Sequence, residues 1–174
     1  AGDEFSTVVI PYNPNTKVSN IKVEVYDAAG KLSKTYSKKD FNDYTNNPSA
    51  ALYVDDRILV LRPMSSQYPY TVKSYYETTT SNTVYLNYFR PVTSYDISVQ
   101  KSTFTVHNTS GINIRTKVTE RPLAKLTNST EGNIMKYSYE NIPALKHEDL
   151  APSISYLVPQ VEFSPEKFTL EGKE

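Results

Sequence analysis

The chain has 174 residues, 19 basic and 19 acidic side chains, and no cysteine. Balanced charge removes any general electrostatic reason to bind nucleic acid or an anionic membrane. The missing cysteine excludes thiol nucleophiles, thiolate metal sites and disulfides within these residues.

Fifteen tyrosines, with many Thr, Val and Ser residues, suit half-buried pleated surfaces. Five glycines and eleven prolines supply punctuation at short intervals. That composition predicts an all-β chain, a two-sheet antiparallel β-sandwich with at most one or two short helical turns. No stretch approaches ~18 consecutive apolar residues, so no membrane span is expected. Ala1-Gly2-Asp3-Glu4 does not read as a signal peptide.

In chain order, Thr7 to Tyr12 reads as a first strand, closed by Asn13-Pro14-Asn15. Ile21, Val23 and Val25 alternate with Lys22, Glu24 and Tyr26, a period-2 strand with one face inward. Asp27-Ala28-Ala29-Gly30 is a hairpin signal: Asp27 can cap a type I turn and Gly30 can take the left-handed position. Lys31 to Tyr36 returns as the partner strand. Ser37 with Asp40 three residues on predicts one short helical turn.

Leu52 to Arg62 is the longest apolar run, interrupted by Asp55, Asp56 and Arg57 and ended by Pro63. Tyr70 to Thr79 is a long strand expected to pair, as an aromatic hairpin, with Val84 to Arg90. Tyr95 to His107 is another strand. Its apolar face slips from Ile97 and Val99 to Phe104 and Val106, which suggests a bulge near Lys101–Thr103. Ile112 to Val118 and Ile134 to Tyr139 are strands, with a turn over Asn128–Asn133 between them. Residues 141–152 read as an ordered linker anchored by Ile142, Leu145 and Leu150. Ile154–Val158 and Val161–Phe163 read as short late strands. One sandwich over 1–174, a fragment of a longer protein, is the simplest organisation. A split near 141–152 is the alternative.

Several pieces together resemble a domain of unknown function that precedes transglutaminase-like domains in exported Bacteroidetes proteins. They are Val9-Ile10-Pro11-Tyr12, Tyr26 to Leu32, Lys38 to Tyr44, Leu52 to Arg57, Tyr68 to Val72 and Ile142 to Pro152. They run in family order over roughly residues 8–163. The resemblance implies a β-sandwich and a non-catalytic module in a periplasmic, cell-surface or secreted protein. The enzymatic neighbour would lie downstream. The family pattern usually has strands before the Val9 region. No catalytic residue of the family carries over to a position here.

Four groups of residues are candidates for chemistry. Asp55 and Asp56 could bind a cation or a sugar hydroxyl, or do acid–base work on glycosides. Adjacent strand residues face opposite ways, however, so a structural charge cluster is the simpler reading, with Asp55 holding Arg57 and fixing strand register. His147-Glu148-Asp149 is metal-ligand material without a partner motif. Tyr70, Tyr75, Tyr85 and Tyr88 form the best possible binding surface, because a tyrosine offers a flat apolar face and a hydroxyl to a glycan or a protein. Cross-strand aromatic pairing is the alternative. Asn108-Thr109-Ser110 and Asn128-Ser129-Thr130 match the glycosylation acceptor pattern and read as exposed turns.

The expected role is that of a non-enzymatic accessory module needing no cofactor. Its partners would be a downstream transglutaminase-like domain and a protein or glycan. A carbohydrate-binding module using exposed tyrosines is the alternative. An adhesin-like sandwich and a glycoside-acting enzyme are remoter readings.

Overall fold

The computed structural model describes residues 3–46, 55–65, 67–81, 86 and 88–167. The chain is all-β, built from antiparallel strands; the described residues include three short 3-10 turns, at Asp3–Ser6, Lys38–Asp40 and Ile154–Tyr156. It forms two compact units, residues 1–82 and 83–174.

Among the described residues the first unit contains six strands: β1 (Val8–Tyr12), β2 (Thr16–Tyr26), β3 (Leu32–Ser37), β4 (Asn42–Thr45), β5 (Arg57–Leu61) and β6 (Thr71–Thr80). They make two three-stranded sheets, ordered β1-β5-β4 and β3-β2-β6. Alternation sends one face of each sheet inward. Ile10, Leu59 and Leu61 from the first sheet and Val18, Val23, Val25 and Tyr36 from the second are buried. They form two adjoining apolar clusters, with Val8 and Phe41 packed against both.

The Asp27 hairpin forms as the local chemistry dictates. The Asp27 carboxylate accepts from the backbone N–H groups of Ala29 and Lys31, both at 2.9 Å. Gly30 takes φ +78°, a conformation that a side chain would strain. The turn at Lys38–Asp40 is fixed by Asp40, whose carboxylate accepts from the Ser37 N–H at 2.7 Å and from its hydroxyl at 3.2 Å. Within β2 the ladder to β6 shifts register between Ser19 and Lys22. Asn20, at φ +52°, lies in that irregularity.

Among the described residues the expected aromatic hairpin does not form; Val84, Tyr85 and Asn87 lie outside them. β6 pairs with β2, while Phe89 makes an isolated bridge to Val161. Phe89 is instead buried in the aromatic core of the second unit. Leu52, Tyr53 and Val54, from the interrupted apolar run, lie outside the described residues.

The second unit contains β7 (Val99–His107), β8 (Ile114–Thr119), β9 (Thr127–Glu131), β10 (Ile134–Ile142) and β11 (Gln160–Pro165). Its sheets are ordered β7-β10-β9 and β11-β8. Its core is aromatic. Phe89 stacks on Phe104 at 5.6 Å between centroids and lies 5.7 Å from Tyr139. Phe163 sits 5.2 Å from Phe104 and meets Tyr137 edge-on at 5.3 Å. Offset and edge-on pairs of this kind add to the gain from burial itself.

Four local expectations for this unit need correction. The apolar face of β7 does slip, yet no bulge separates the two halves. Val99 pairs with Ile142, Lys101 with Glu140 and Ser102 with Tyr139 in one continuous register. β10 slips at the same place, at Asn141 with φ +54°. Asn128–Glu131 belongs to β9, and the turn is confined to Gly132-Asn133. An edge strand exposed at every position needs no apolar face, so turn-rich residues serve. Ile154–Tyr156 is a 3-10 turn instead of a strand. Leu150, expected as an anchor, is fully exposed, whereas Ile142 is buried.

Candidate functional site

The charge cluster is rearranged relative to expectation. Asp55 and Asp56 are exposed and precede β5, so strand alternation does not apply to them. Arg57 opens β5, where it pairs with Tyr12 of β1 on one side and Thr45 of β4 on the other. Its Nε donates to Asp43 Oδ1 at 3.0 Å and to the Tyr12 hydroxyl at 3.0 Å. The Tyr12 hydroxyl in turn donates to Asp43 Oδ2 at 2.7 Å. The partner of Arg57 is thus Asp43, not Asp55. These hydrogen bonds, from Tyr12 first and Arg57 second, hold the Asp43 carboxyl below its ordinary range. The triad ties all three strands of its sheet together, which is a structural task.

The tyrosines fall into separate places. Tyr70 is half-buried against the core formed by Val23, Val25, Tyr36 and Leu61. Tyr75 is exposed on β6. Tyr85 lies outside the described residues. Tyr88 belongs to the second unit, where the Arg90 guanidinium sits 4.6 Å from its ring centroid. Arg90 also donates to Gln160 Oε1, at 2.9 Å from Nη2.

Around Tyr75 the outer face of the β3-β2-β6 sheet carries a polar array that sequence reasoning did not assemble. The Tyr75 hydroxyl donates to Glu77 Oε1, and Asn20 Nδ2 donates to Glu77 Oε2. Both bonds favour the ionised carboxylate, Tyr75 more than Asn20, and the pKa of Glu77 is lowered. Two residues further along β2, Lys22 pairs with Glu24 at 2.6 Å, and the Tyr26 hydroxyl donates to the same carboxylate at 3.0 Å. The sequence signal was Asn20, which breaks the alternation of β2. Its partner on β6 could not be read locally.

A second feature of the first unit is a cleft of about 330 Å³ lined by Phe5, Ser6, Tyr68, Pro69, Tyr70 and Val72. The Tyr68 and Tyr70 rings are 5.2 Å apart and inclined at 55°. The run Tyr68-Pro69-Tyr70 was visible in sequence; Phe5, from a segment remote in sequence, was not.

His147 does not gather ligands. Its ring meets Tyr95 edge-on at 5.1 Å. The Tyr95 hydroxyl donates to the Pro152 carbonyl at 2.6 Å, and the Asp96 N–H donates to the Leu145 carbonyl at 2.8 Å, pinning residues 145–152 to the unit. Among the described residues no group of three or more His, Asp or Glu side chains is arranged to hold a metal ion. Nor, among them, is any helix long and apolar enough to cross a membrane.

No curated protein matches the chain. A solved structure from Parabacteroides distasonis ATCC 8503, described provisionally as a protease, is similar with a TM-score of 0.70 and 18% identity. The match covers 94% of this chain and 33% of that one, so the chain spans about a third of its neighbour's length. At that identity the likeness shows a common fold. The model of a family described as a domain of unknown function with a solved structure, DUF3857, matches residues 1–146. With most of its length covered by that match, including the whole first unit, the chain belongs to the DUF3857 family.

Proposed function

We infer that the chain is a non-catalytic module of an exported bacterial protein, held in the periplasm or at the cell surface. In this reading it positions or presents a protein or glycan to a downstream transglutaminase-like domain. The observation that carries the reading is the match to one third of a larger Parabacteroides distasonis protein described provisionally as a protease. A module of that proportion leaves most of such a chain for catalytic machinery. The cysteine nucleophile of transglutaminase-like chemistry would have to come from elsewhere in the protein, because these residues contain none.

The test is kinetic. The 174-residue chain should turn over no peptide, amide or glycoside. In a parent protein carrying both parts, removing this module should raise KM for a macromolecular substrate and leave kcat for a small chromogenic one unchanged. Hydrolase or transferase activity that maps to Asp55 or Asp56 would overturn the proposal.

A second reading, a carbohydrate-binding surface at Tyr75, is favoured by one observation. Glu77 is held between Tyr75 and Asn20 beside an exposed aromatic ring. Rings and oriented carboxylates of this kind can stack on a sugar and accept from its hydroxyls. A glycan array in which no glycan binds, or in which binding survives Tyr75→Ala, would remove it.

A further inference from the structure

The cleft at Tyr68 differs chemically from the polar array at Tyr75. Among the described residues, the six that line it carry no charge. Phe5 is 49% exposed and Tyr68 60% exposed, so much of each side chain faces solvent. Tyr70, inclined to Tyr68, is anchored in the core. The volume of about 330 Å³ admits one small ring with its substituents.

Two hydroxyls of the cleft, those of Ser6 and Tyr70, are engaged. Ser6 Oγ donates to the Pro63 carbonyl at 3.3 Å and accepts from the Tyr70 hydroxyl at 3.1 Å. This decides between two neutral ligands that aromatic rings attract. A sugar brings several hydroxyls, and each must find a new partner when it leaves water. Here the Tyr70 and Ser6 donors are spent, the one on the Ser6 hydroxyl and the other on a backbone carbonyl. A prolyl ring brings no donor at all and packs on aromatic faces. Its extended polyproline II backbone is also preformed, so little ordering is needed on binding.

We propose that this cleft binds an extended, proline-containing segment of a protein partner, with a prolyl ring seated between Phe5 and Tyr68 above Tyr70. The purpose of such binding rests on the presenting role proposed above. The binding itself does not.

The experiment is a nuclear magnetic resonance titration of the isotope-labelled 174-residue chain. The probe is an acetylated, amidated hexaproline; a Gly-Ser peptide of equal length and maltohexaose are comparators. Hexaproline should give saturable shifts at the amides of Phe5, Ser6, Tyr68 and Tyr70, and the comparators should not. Tyr68→Ala and Phe5→Ala should each weaken binding about tenfold or more, Tyr68→Phe should stay within about twofold, and Tyr75→Ala should change nothing. Both truncated rings are exposed, and an unchanged far-ultraviolet dichroism spectrum checks that each variant folds. No response to hexaproline, an equal response to the Gly-Ser peptide, or shifts that map elsewhere would overturn the assignment. A comparator that binds away from the cleft while hexaproline fails ends this assignment and leaves the presenting role standing. Turnover by the isolated chain would do the reverse.

Discussion

Arg57 and Asp43 meet across neighbouring strands, Nε to Oδ1 at 3.0 Å, with the Tyr12 hydroxyl bonded to both. Three strands therefore share one hydrogen-bonded triad. The Asp43 pKa is lowered in the folded chain, so its contribution to stability is complete above the unfolded value of 3.8. It is lost as pH falls from there through the lower folded value. Asp43→Asn should flatten the acid limb of the stability curve in that window. Arg57→Leu should lower the melting temperature at neutral pH, by less than a core truncation does. Equilibrium denaturation between pH 2 and pH 7 checks both. An unchanged acid limb in Asp43→Asn would mean that the triad carries no linkage.

Tyr139 is 1% exposed, and its hydroxyl has no hydrogen-bond partner among the described residues. Burial first, and the Glu120 charge second, push the phenol pKa up. An unsatisfied buried hydroxyl is a cost that phenylalanine would not carry. Tyr139→Phe should therefore raise stability by about 1 kcal/mol. Chemical denaturation reads the change directly. A loss of similar size would show that the hydroxyl is bonded in solution.

Leu150 adopts φ +65° and is fully exposed. A left-handed leucine is strained, and here no packing offsets the strain. Leu150→Gly should stabilise the chain by up to ~1 kcal/mol, the relief being partly offset by glycine's freedom in the unfolded chain. Calorimetry of the two proteins tests it, and a destabilised variant would point to a contact that the side chain makes in solution.

Phe89 joins the aromatic core of the second unit and bridges Val161 through its backbone, with N–O distances of 2.8 and 2.9 Å. Phe89→Ala should cost about 3–5 kcal/mol. Amide exchange should accelerate across β7, β10 and β11. A small, uniform effect would mean that the core closes over the gap.

The sequence was most legible where the determinants are adjacent. The Asp27–Gly30 hairpin and the Ser37–Asp40 turn each need only a side chain reaching its own backbone neighbours, so the residues name the structure. Partner choice was not legible. A period-2 pattern says which face of Tyr70–Thr79 turns inward, and nothing in it distinguishes a nearby strand from β2. The same limit explains Arg57. Asp55 stood two residues away, and Asp43 became the nearer group only once β4 lay against β5. β9 was missed because an edge strand needs no apolar side. The cleft at Tyr68 was half visible, its aromatic run contiguous and its Phe5 wall remote.

Asn141, at φ +54°, marks a crossing point in the second unit. There β7 and β10 exchange inner and outer faces together while their ladder register stays continuous. Such a joint reversal behaves like a two-key lock. A residue inserted in one strand alone would set every side chain beyond it against the wrong surroundings, and only a matching change on the opposite strand would restore the fit. Sequence drift at this point of the fold is therefore expected in compensating pairs, with Gln100 and Lys101 on one strand answering Glu140 and Asn141 on the other.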